Sequence, residues 1–222
     1  MNKEIIDEFQ NVIKYKFKNV NLLLEALTHS SYANEHQLKS NERLEFLGDA
    51  ILEFIISDYL YKERHLPEGV MTKMRANYVC EEALATYAHD LKFETDIKLG
   101  GCEAESGPNN TILADVFEAF VAATYLDMGL DFTKEMVLKI IVKYIEKKVD
   151  FLHDYKSTLQ ELVQTDKKSV IYEIVKEEGP AHNKKFECVV KVDGHILGRG
   201  IGSSKKAAEQ EAAKEALSKQ AK

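Results

Sequence analysis

Apolar residues recur at steps of three and four in six stretches of the first half of the chain, 4–13, 21–28, 42–61, 72–88, 111–126 and 134–147. That is the period of an amphipathic helix. The stretches are separated by Pro67-Glu68-Gly69, Gly100-Gly101 and Gly107-Pro108-Asn109-Asn110, where proline has no backbone donor to continue a helix and glycine favours turns. Ser40 or Asn41 is placed to cap the helix starting at 42, and Asn110 or Thr111 the helix starting at 111. These features predict an orthogonal or bundled all-α domain over residues 1–150. Beyond it the pattern changes. A short amphipathic helix over 155–165 precedes three strand-like segments, 170–176, 185–192 and 195–200, the last two joined by Asp193-Gly194, a pair suited to a tight hairpin. An Ala-rich helix over 205–218 closes the chain. The order α-β-β-β-α predicts a separate small α+β domain over residues 151–222, with two helices on one face of an antiparallel sheet.

Two of the helices carry carboxylates in an unusual arrangement. In Asn41-Glu-Arg-Leu-Glu-Phe-Leu-Gly-Asp49, residues Glu42, Glu45 and Asp49 fall within about 60° of one another on a helical wheel, while Leu44, Leu47, Ile51, Phe54 and Ile55 gather on the other side. In Leu113-Ala-Asp-Val-Phe-Glu-Ala119, Asp115 and Glu118 stand three apart, and Ala114, Ala119, Ala122 and Ala123 leave room for another backbone to come close. If the two acidic faces meet, four or five carboxylates converge, and their repulsion raises their pKa values unless a cation neutralises them. An all-carboxylate set suits a hard cation, Mg²⁺ or Mn²⁺, whereas zinc would call for His or Cys. A di-iron bundle needs Glu-x-x-His pairs, and the positions three beyond Glu42 and Asp115 hold Glu45 and Glu118. The bland alternative is a pair of solvated helix faces, which two acidic edges backed by strong apolar stripes make less attractive.

Composition adds a division of labour. The net charge of −7 disfavours nucleic acid on its face, but residues 1–150 hold 17 Lys/Arg against 26 Asp/Glu, a balance of −9, and residues 151–222 hold 13 against 11, a balance of +2. The acidity is confined to the helical half. Cys80, Cys102 and Cys188 are far apart and form no Cys-x-x-Cys, which suggests free thiols in a reducing compartment. The chain has no apolar run long enough to cross a membrane and no secretory signal at its start, so a cytoplasmic protein is expected. Near the end, Gly198-Arg-Gly-Ile-Gly-Ser-Ser-Lys-Lys206 is read as a connection from the third strand to the last helix. Ser203 and Ser204 as caps and Lys205 and Lys206 beside the helix N-terminus make it a candidate phosphate site. It matches neither a dinucleotide fingerprint nor a Walker loop.

The run Asn41-Glu-Arg-Leu-Glu-Phe-Leu-Gly-Asp-Ala-Ile-Leu-Glu53 resembles the signature of bacterial ribonuclease III, and the resemblance extends along the chain. Leu27-Thr-His-Ser-Ser-Tyr32 looks like an early helix of that family, and Leu113–Ala119 with Tyr125-Leu-Asp127 looks like its second acidic helix. The tail is similar to its double-stranded-RNA-binding domain. The resemblance implies an endonuclease domain whose cleavage centre is Glu45, Asp49, Asp115 and Glu118. In it Glu45, Asp115 and Glu118 hold Mg²⁺, with Mn²⁺ able to substitute, Asp49 and Glu118 act in catalysis, and Glu42 and Glu68 are auxiliary acids. A cation of this kind makes hydroxide available near neutral pH and stabilises the departing 3′ oxygen. The implied products are 5′-phosphate and 3′-hydroxyl ends with short 3′ overhangs, in the processing of ribosomal RNA precursors and other structured transcripts.

Phe46 sits about 40° from Glu42, on the acidic edge and away from the apolar stripe. The resemblance implies a homodimer in which this Phe enters a cavity of the other subunit, so that two centres line one valley. In the tail it implies RNA contacts by Gln160 and Glu161 in one minor groove and His182 in the next, with Ser203, Lys205 and Lys206 on the phosphates between. One departure is the segment between Leu99 and Ile112, which lacks the basic residue the family often carries, leaving Asn109 and Asn110 as substitutes for gripping phosphate. A double-stranded-RNA-binding scaffold on a decayed nuclease is the competing reading, and all six candidate acidic positions being acidic argues against it.

Overall fold

A computed structural model of the protein describes residues 15–164, 169–180 and 184–220. The chain divides into two compact units, Met1–Leu152 and His153–Lys222. The predicted helix over 4–13 lies outside the described residues.

The first unit is all helix. Its elements are α1 (Val20–Ala26), α2 (Ser30–His36), α3 (Glu42–Glu63), α4 (Glu68–Tyr78), α5 (Glu81–Asp90), a 3-10 turn (Phe93–Thr95), α6 (Gly101–Ser106), α7 (Asn110–Met128) and α8 (Leu130–Glu146). The stretch predicted as one helix over 72–88 is two, because Val79 leaves the helical conformation (φ −122°, ψ 14°) and Cys80 is extended at the start of α5. The apolar period runs through that break, so periodicity alone could not locate it. α7 forms the centre of the unit. Eleven of its residues are buried, from Ile112 to Thr124, and α1, α3, α5 and α8 surround it. A helix that is apolar on nearly all sides belongs in the interior, which makes the polar Asp115 and Glu118 on it anomalous. On α3 the inward stripe is Leu44, Ile51, Leu52, Ile55, Ile56 and Leu60. Phe54, expected on that stripe, is instead 53% exposed.

Two side chains hold the ends of the unit in place. Asp127 accepts the backbone N–H groups of Lys18 and Asn19, each at 2.9 Å, and the Tyr15 hydroxyl. Asn77 donates to the Val149 carbonyl (2.8 Å) and accepts from the N–H groups of Phe151 (2.8 Å) and Leu152 (3.0 Å). Phe151 then packs against the rings of Tyr78, Tyr87 and Tyr144. This helical packing therefore continues two residues past 150.

The second unit is α9 (Tyr155–Gln164), β1 (Val170–Glu178), β2 (Lys185–Val192), β3 (His195–Gly202) and α10 (Lys205–Gln220). The strands form one antiparallel sheet in the order β1-β2-β3. Asp193 and Gly194 both have positive φ (48° and 79°), as a tight hairpin turn with matching twist requires. α9 and α10 pack together, with α10 against β3 and β2, closing a core of Leu159, Val163, Phe186, Cys188, Val190 and the alanines of α10. β3 is longer than expected. Gly198, Gly200 and Gly202 are strand residues facing the helix: a β-carbon on Gly200 would lie 2.2 Å from the amide nitrogen of Ala212, and on Gly202 2.4 Å from that of Ala208. The glycines expected in a connecting loop are thus packing residues, spaced by two along the strand, that let α10 lie directly on the backbone of β3.

Candidate active site

The site is set by where α3 and α7 cross. Gly48 of α3 rests on the backbone of Glu118: a β-carbon there would stand 1.9 Å from the Glu118 carbonyl oxygen and 2.4 Å from its carbonyl carbon. Glycine is the residue that permits this approach. Glu45 lies one turn before Gly48 and Asp49 directly after it, while Asp115 lies one turn before Glu118. The crossing thereby gathers the four acids. Glu45, Asp115 and Glu118 are half-buried and Asp49 is exposed at the rim.

Electrostatics report the same convergence. Burial, then the charges of Asp49, Glu45 and Asp115, push the Glu118 carboxyl up to about 8. Glu45 is raised by burial and by Asp115, Glu42 and Asp49. Asp115 is raised by burial and by Glu81, against a lowering by His29. Burial leads in all three, and neighbouring carboxylates add most to it at Glu118 and Glu45. Among the described residues, no three His, Cys, Asp or Glu side chains already stand close enough to grip one ion. The cluster is a concentration of charge on fixed helices, with the side chains apart.

The other expected residues are distributed unevenly. Glu42 opens α3, accepts from the Ser40 hydroxyl (2.8 Å) and acts on Glu45. Asn41 holds the N-cap position without a side-chain cap bond. It is 2% exposed, and its amide nitrogen has no partner among the described residues. At α7 the cap is Asn109, not Asn110 or Thr111; its side-chain oxygen accepts from the N–H of Ile112 (2.9 Å), so the group expected to grip phosphate is engaged in the helix start. Glu68 is not among the charges acting on the cluster. It opens α4, accepts from Thr72 (2.9 Å) and lines a groove of about 380 Å³ with Phe54, Tyr61 and Met71. Phe46 is 83% exposed, the most exposed large apolar side chain described.

In the tail, Gln160 is half-buried and Glu161 exposed on α9. Ser203, Lys205 and Lys206 are exposed at the start of α10. Ser204 provides the cap, its hydroxyl accepting from Ala207 (3.1 Å). His182 lies outside the described residues. His29 and Glu81, by contrast, act on Asp115 and were not singled out from the sequence. The only signal for His29 was its place in Leu27-Thr-His-Ser-Ser-Tyr32, and for Glu81 there was none.

Comparison with known proteins places this arrangement. Residues 19–145 match the ribonuclease-III-like family model, and residues 155–220 match the double-stranded RNA binding motif. The chain is 50% identical over 213 residues to ribonuclease 3 of Streptococcus gordonii, covering 92% of this chain and 91% of that one. It is 49% identical over 228 residues to ribonuclease 3 of Bacillus licheniformis, covering 97% and 90%. Among solved structures, the nuclease domain of ribonuclease III from Campylobacter jejuni superposes with a TM-score of 0.58 at 37% identity, covering 62% of this chain and 96% of that one. The two family matches fall one on each unit and the curated relatives cover nearly the whole chain, so the chain belongs to the ribonuclease III family of endoribonucleases that act on double-stranded RNA.

Proposed function

We propose that the protein is a Mg²⁺-dependent, homodimeric endonuclease that cuts both strands of an RNA duplex, leaving 5′-phosphate and 3′-hydroxyl ends with short 3′ overhangs. The observation that carries the reading is the Gly48–Glu118 contact, which brings the helix turns bearing Glu45 and Asp49 beside those bearing Asp115 and Glu118. Enzymes of this family are generally metal-dependent, and the donor set fits a hard cation: it is all oxygen, and burial together with the neighbouring acids pushes the Glu118 carboxyl up to about 8. Glu45, Asp115 and Glu118 would hold the ion after side-chain rotation on fixed helices. When bound, it supplies charge neutralisation and activates water for attack on the phosphodiester. The chain does the rest. Half-burial of Asp115 and Glu118 limits competing water, Asp49 at the rim supports the ligands and meets the substrate, and Glu42 flanks it. No side-chain nucleophile is needed.

A duplex has two strands, and one cluster per subunit supports pairing of subunits. Phe46 neighbours Glu45 and stands almost wholly in solvent, while the groove between α3 and α4 is lined by Phe54, Tyr61 and Met71. Phe46 of one subunit entering the groove of the other buries both and brings Glu68 toward the opposite cluster. Lys205, Lys206 and Ser203 grip phosphates, with Gln160, Glu161 and His182 in the flanking minor grooves. Processing of ribosomal precursors and other structured transcripts is the task that the family resemblance implies for such an enzyme.

The test is Glu118→Gln in the full chain. Cleavage of a long RNA duplex in Mg²⁺ is expected to fall by about 10²- to 10³-fold, in the range of losing a principal charge-stabilising group, while duplex binding in EDTA stays within about twofold. Wild-type cleavage by this variant would remove the acid cluster from the reaction.

A further inference from the structure

One row of residues crosses the sheet of the second unit at the end nearest the start of α10. Glu177 of β1 is paired with Phe186 of β2, and Phe186 with Gly202 of β3. Residues opposite one another on neighbouring strands share a face. Here it is the face toward the helices, since Phe186 belongs to the core that α10 closes and a β-carbon on Gly202 would meet the amide nitrogen of Ala208. Lys205 opens α10, and its Nζ lies 6.0 Å from the centre of the Phe186 ring. An acid thus stands beside the lysines assigned to the phosphates. The Glu177 carboxylate accepts from the Nζ of Lys184, the residue just before β2. Lys184, with Lys205 at longer reach, holds that carboxyl below the usual carboxylate range.

We propose that Lys184 is a further phosphate contact of the tail and that Glu177 masks it: the carboxylate neutralises a lysine that would otherwise join Lys205 and Lys206 on the duplex backbone. The inference rests on the reading of Lys205 and Lys206 as phosphate contacts. Lys184 reaches the row that Lys205 overlies, because its ammonium meets Glu177 there. Both partners are exposed, and a pair of this kind gains little over separate solvated charges. Exchange of the carboxylate for a phosphate oxygen is therefore open to Lys184. That exchange leaves Glu177 bare beside the RNA, where like charges repel. Glu177 thus lowers affinity twice, by occupying Lys184 and by opposing the phosphates. It also removes a counterion effect, since a lysine already neutralised by a carboxylate has no condensed ion to release when RNA arrives.

Variants of the full-length protein separate masking from net charge. Affinity for a long RNA duplex is measured by fluorescence anisotropy in EDTA over a range of salt. Glu177→Gln is expected to tighten binding about 3- to 10-fold at low salt and to steepen the slope of log affinity against log salt by about 1, as one more phosphate is neutralised. Glu178→Gln removes the same charge one residue on. Glu178 faces the other side of the sheet and pairs with Lys176 (2.7 Å), so this change should leave affinity within about twofold of wild type. With Lys184→Ala already in place, Glu177→Gln should tighten binding by less than about threefold and leave the slope where it was. Both glutamates are exposed, so neither change disturbs the core.

Wild-type affinity and slope in Glu177→Gln would overturn the proposal. So would an equal gain in Glu178→Gln, or a full gain in the absence of Lys184, since either makes the effect one of net charge alone. Lys205→Ala with Lys206→Ala keeps the two readings apart. If that variant binds the duplex as wild type does, the phosphate reading of α10 fails and the mask with it; if it binds more weakly while Glu177→Gln changes nothing, only the mask fails.

Discussion

Glu118 is pulled in two directions, because the helix that carries it belongs to the core and its carboxyl belongs to a charged site. Its pKa of about 8 in the folded protein, against an ordinary glutamate value near 4.5, has a thermodynamic consequence. Between those values the folded state holds a proton that the unfolded state has released, so metal-free stability falls as pH rises through the window and levels off above it. Mg²⁺ offsets the charge, so its stabilising effect grows over the same range. Melting temperatures from pH 5 to 8.5, with EDTA and with Mg²⁺, are expected to diverge with rising pH, and parallel curves would contradict the assignment. Asn77 makes a different prediction. Three hydrogen bonds converge on its side chain from residues 149, 151 and 152, and Asn77→Ala leaves polar groups behind, destabilising the first unit by about 1–3 kcal/mol. Urea denaturation of residues 1–152 as seen in the full chain measures this. The acid spacing was readable from the sequence because 3.6 residues per turn maps number onto direction. The hydrogen bond from the Gly100 N–H to the Ser31 hydroxyl was not, since its partners lie 69 residues apart.

At the level of elements, the α3–α7 crossing is both the centre of the helical unit and the origin of the site. Gly48→Ala would drive a methyl into the Glu118 carbonyl, and overpacking of this kind costs about 1–3 kcal/mol or more. It should also separate Glu45 from Glu118. The expected outcome is a lowered melting temperature with a larger loss of cleavage than of RNA binding. Equal losses would mean the glycine matters to the fold alone. In the tail, Gly200→Val is expected to unseat α10 from β3, because Ala208 and Ala212 leave no space for a side chain. Loss of the tail's cooperative unfolding transition by calorimetry is the check. Helices and strands were legible as elements from their periods, while the break at Val79–Cys80 and the length of β3 were not. Both depend on what an element packs against, which its own periodicity does not encode.

For the whole molecule, an acidic helical unit is followed by a mildly basic tail, and the proposed function gives chemistry to the first and grip to the second. Lys205 and Lys206 are exposed at the start of α10. Replacing both with alanine should weaken duplex binding and lower the slope of log affinity against log salt by about 2, since each lysine that neutralises a phosphate releases about one counterion. An unchanged slope would remove them from the interface. Phe46→Ala is expected to shift sedimentation from dimer to monomer at micromolar concentration, with circular dichroism unchanged because the side chain is outside the subunit core. A dimer of undiminished stability would place the interface elsewhere. No helix among the described residues is long and apolar enough to span a membrane.

Periodicity, residue type and the resemblance to a known signature were enough to set two domains of different class and the acidic faces of two of the helices. These are local properties, written in the spacing of neighbours along the chain. Which acids actually meet, how far burial and like charge raise them, that Glu68 stands on a groove apart from them, and that the tail glycines serve packing are properties of chain crossings. They follow from close approach between segments far apart in sequence, at Gly48 on Glu118 and at Gly200 on Ala212, and so exist only once the chain has folded.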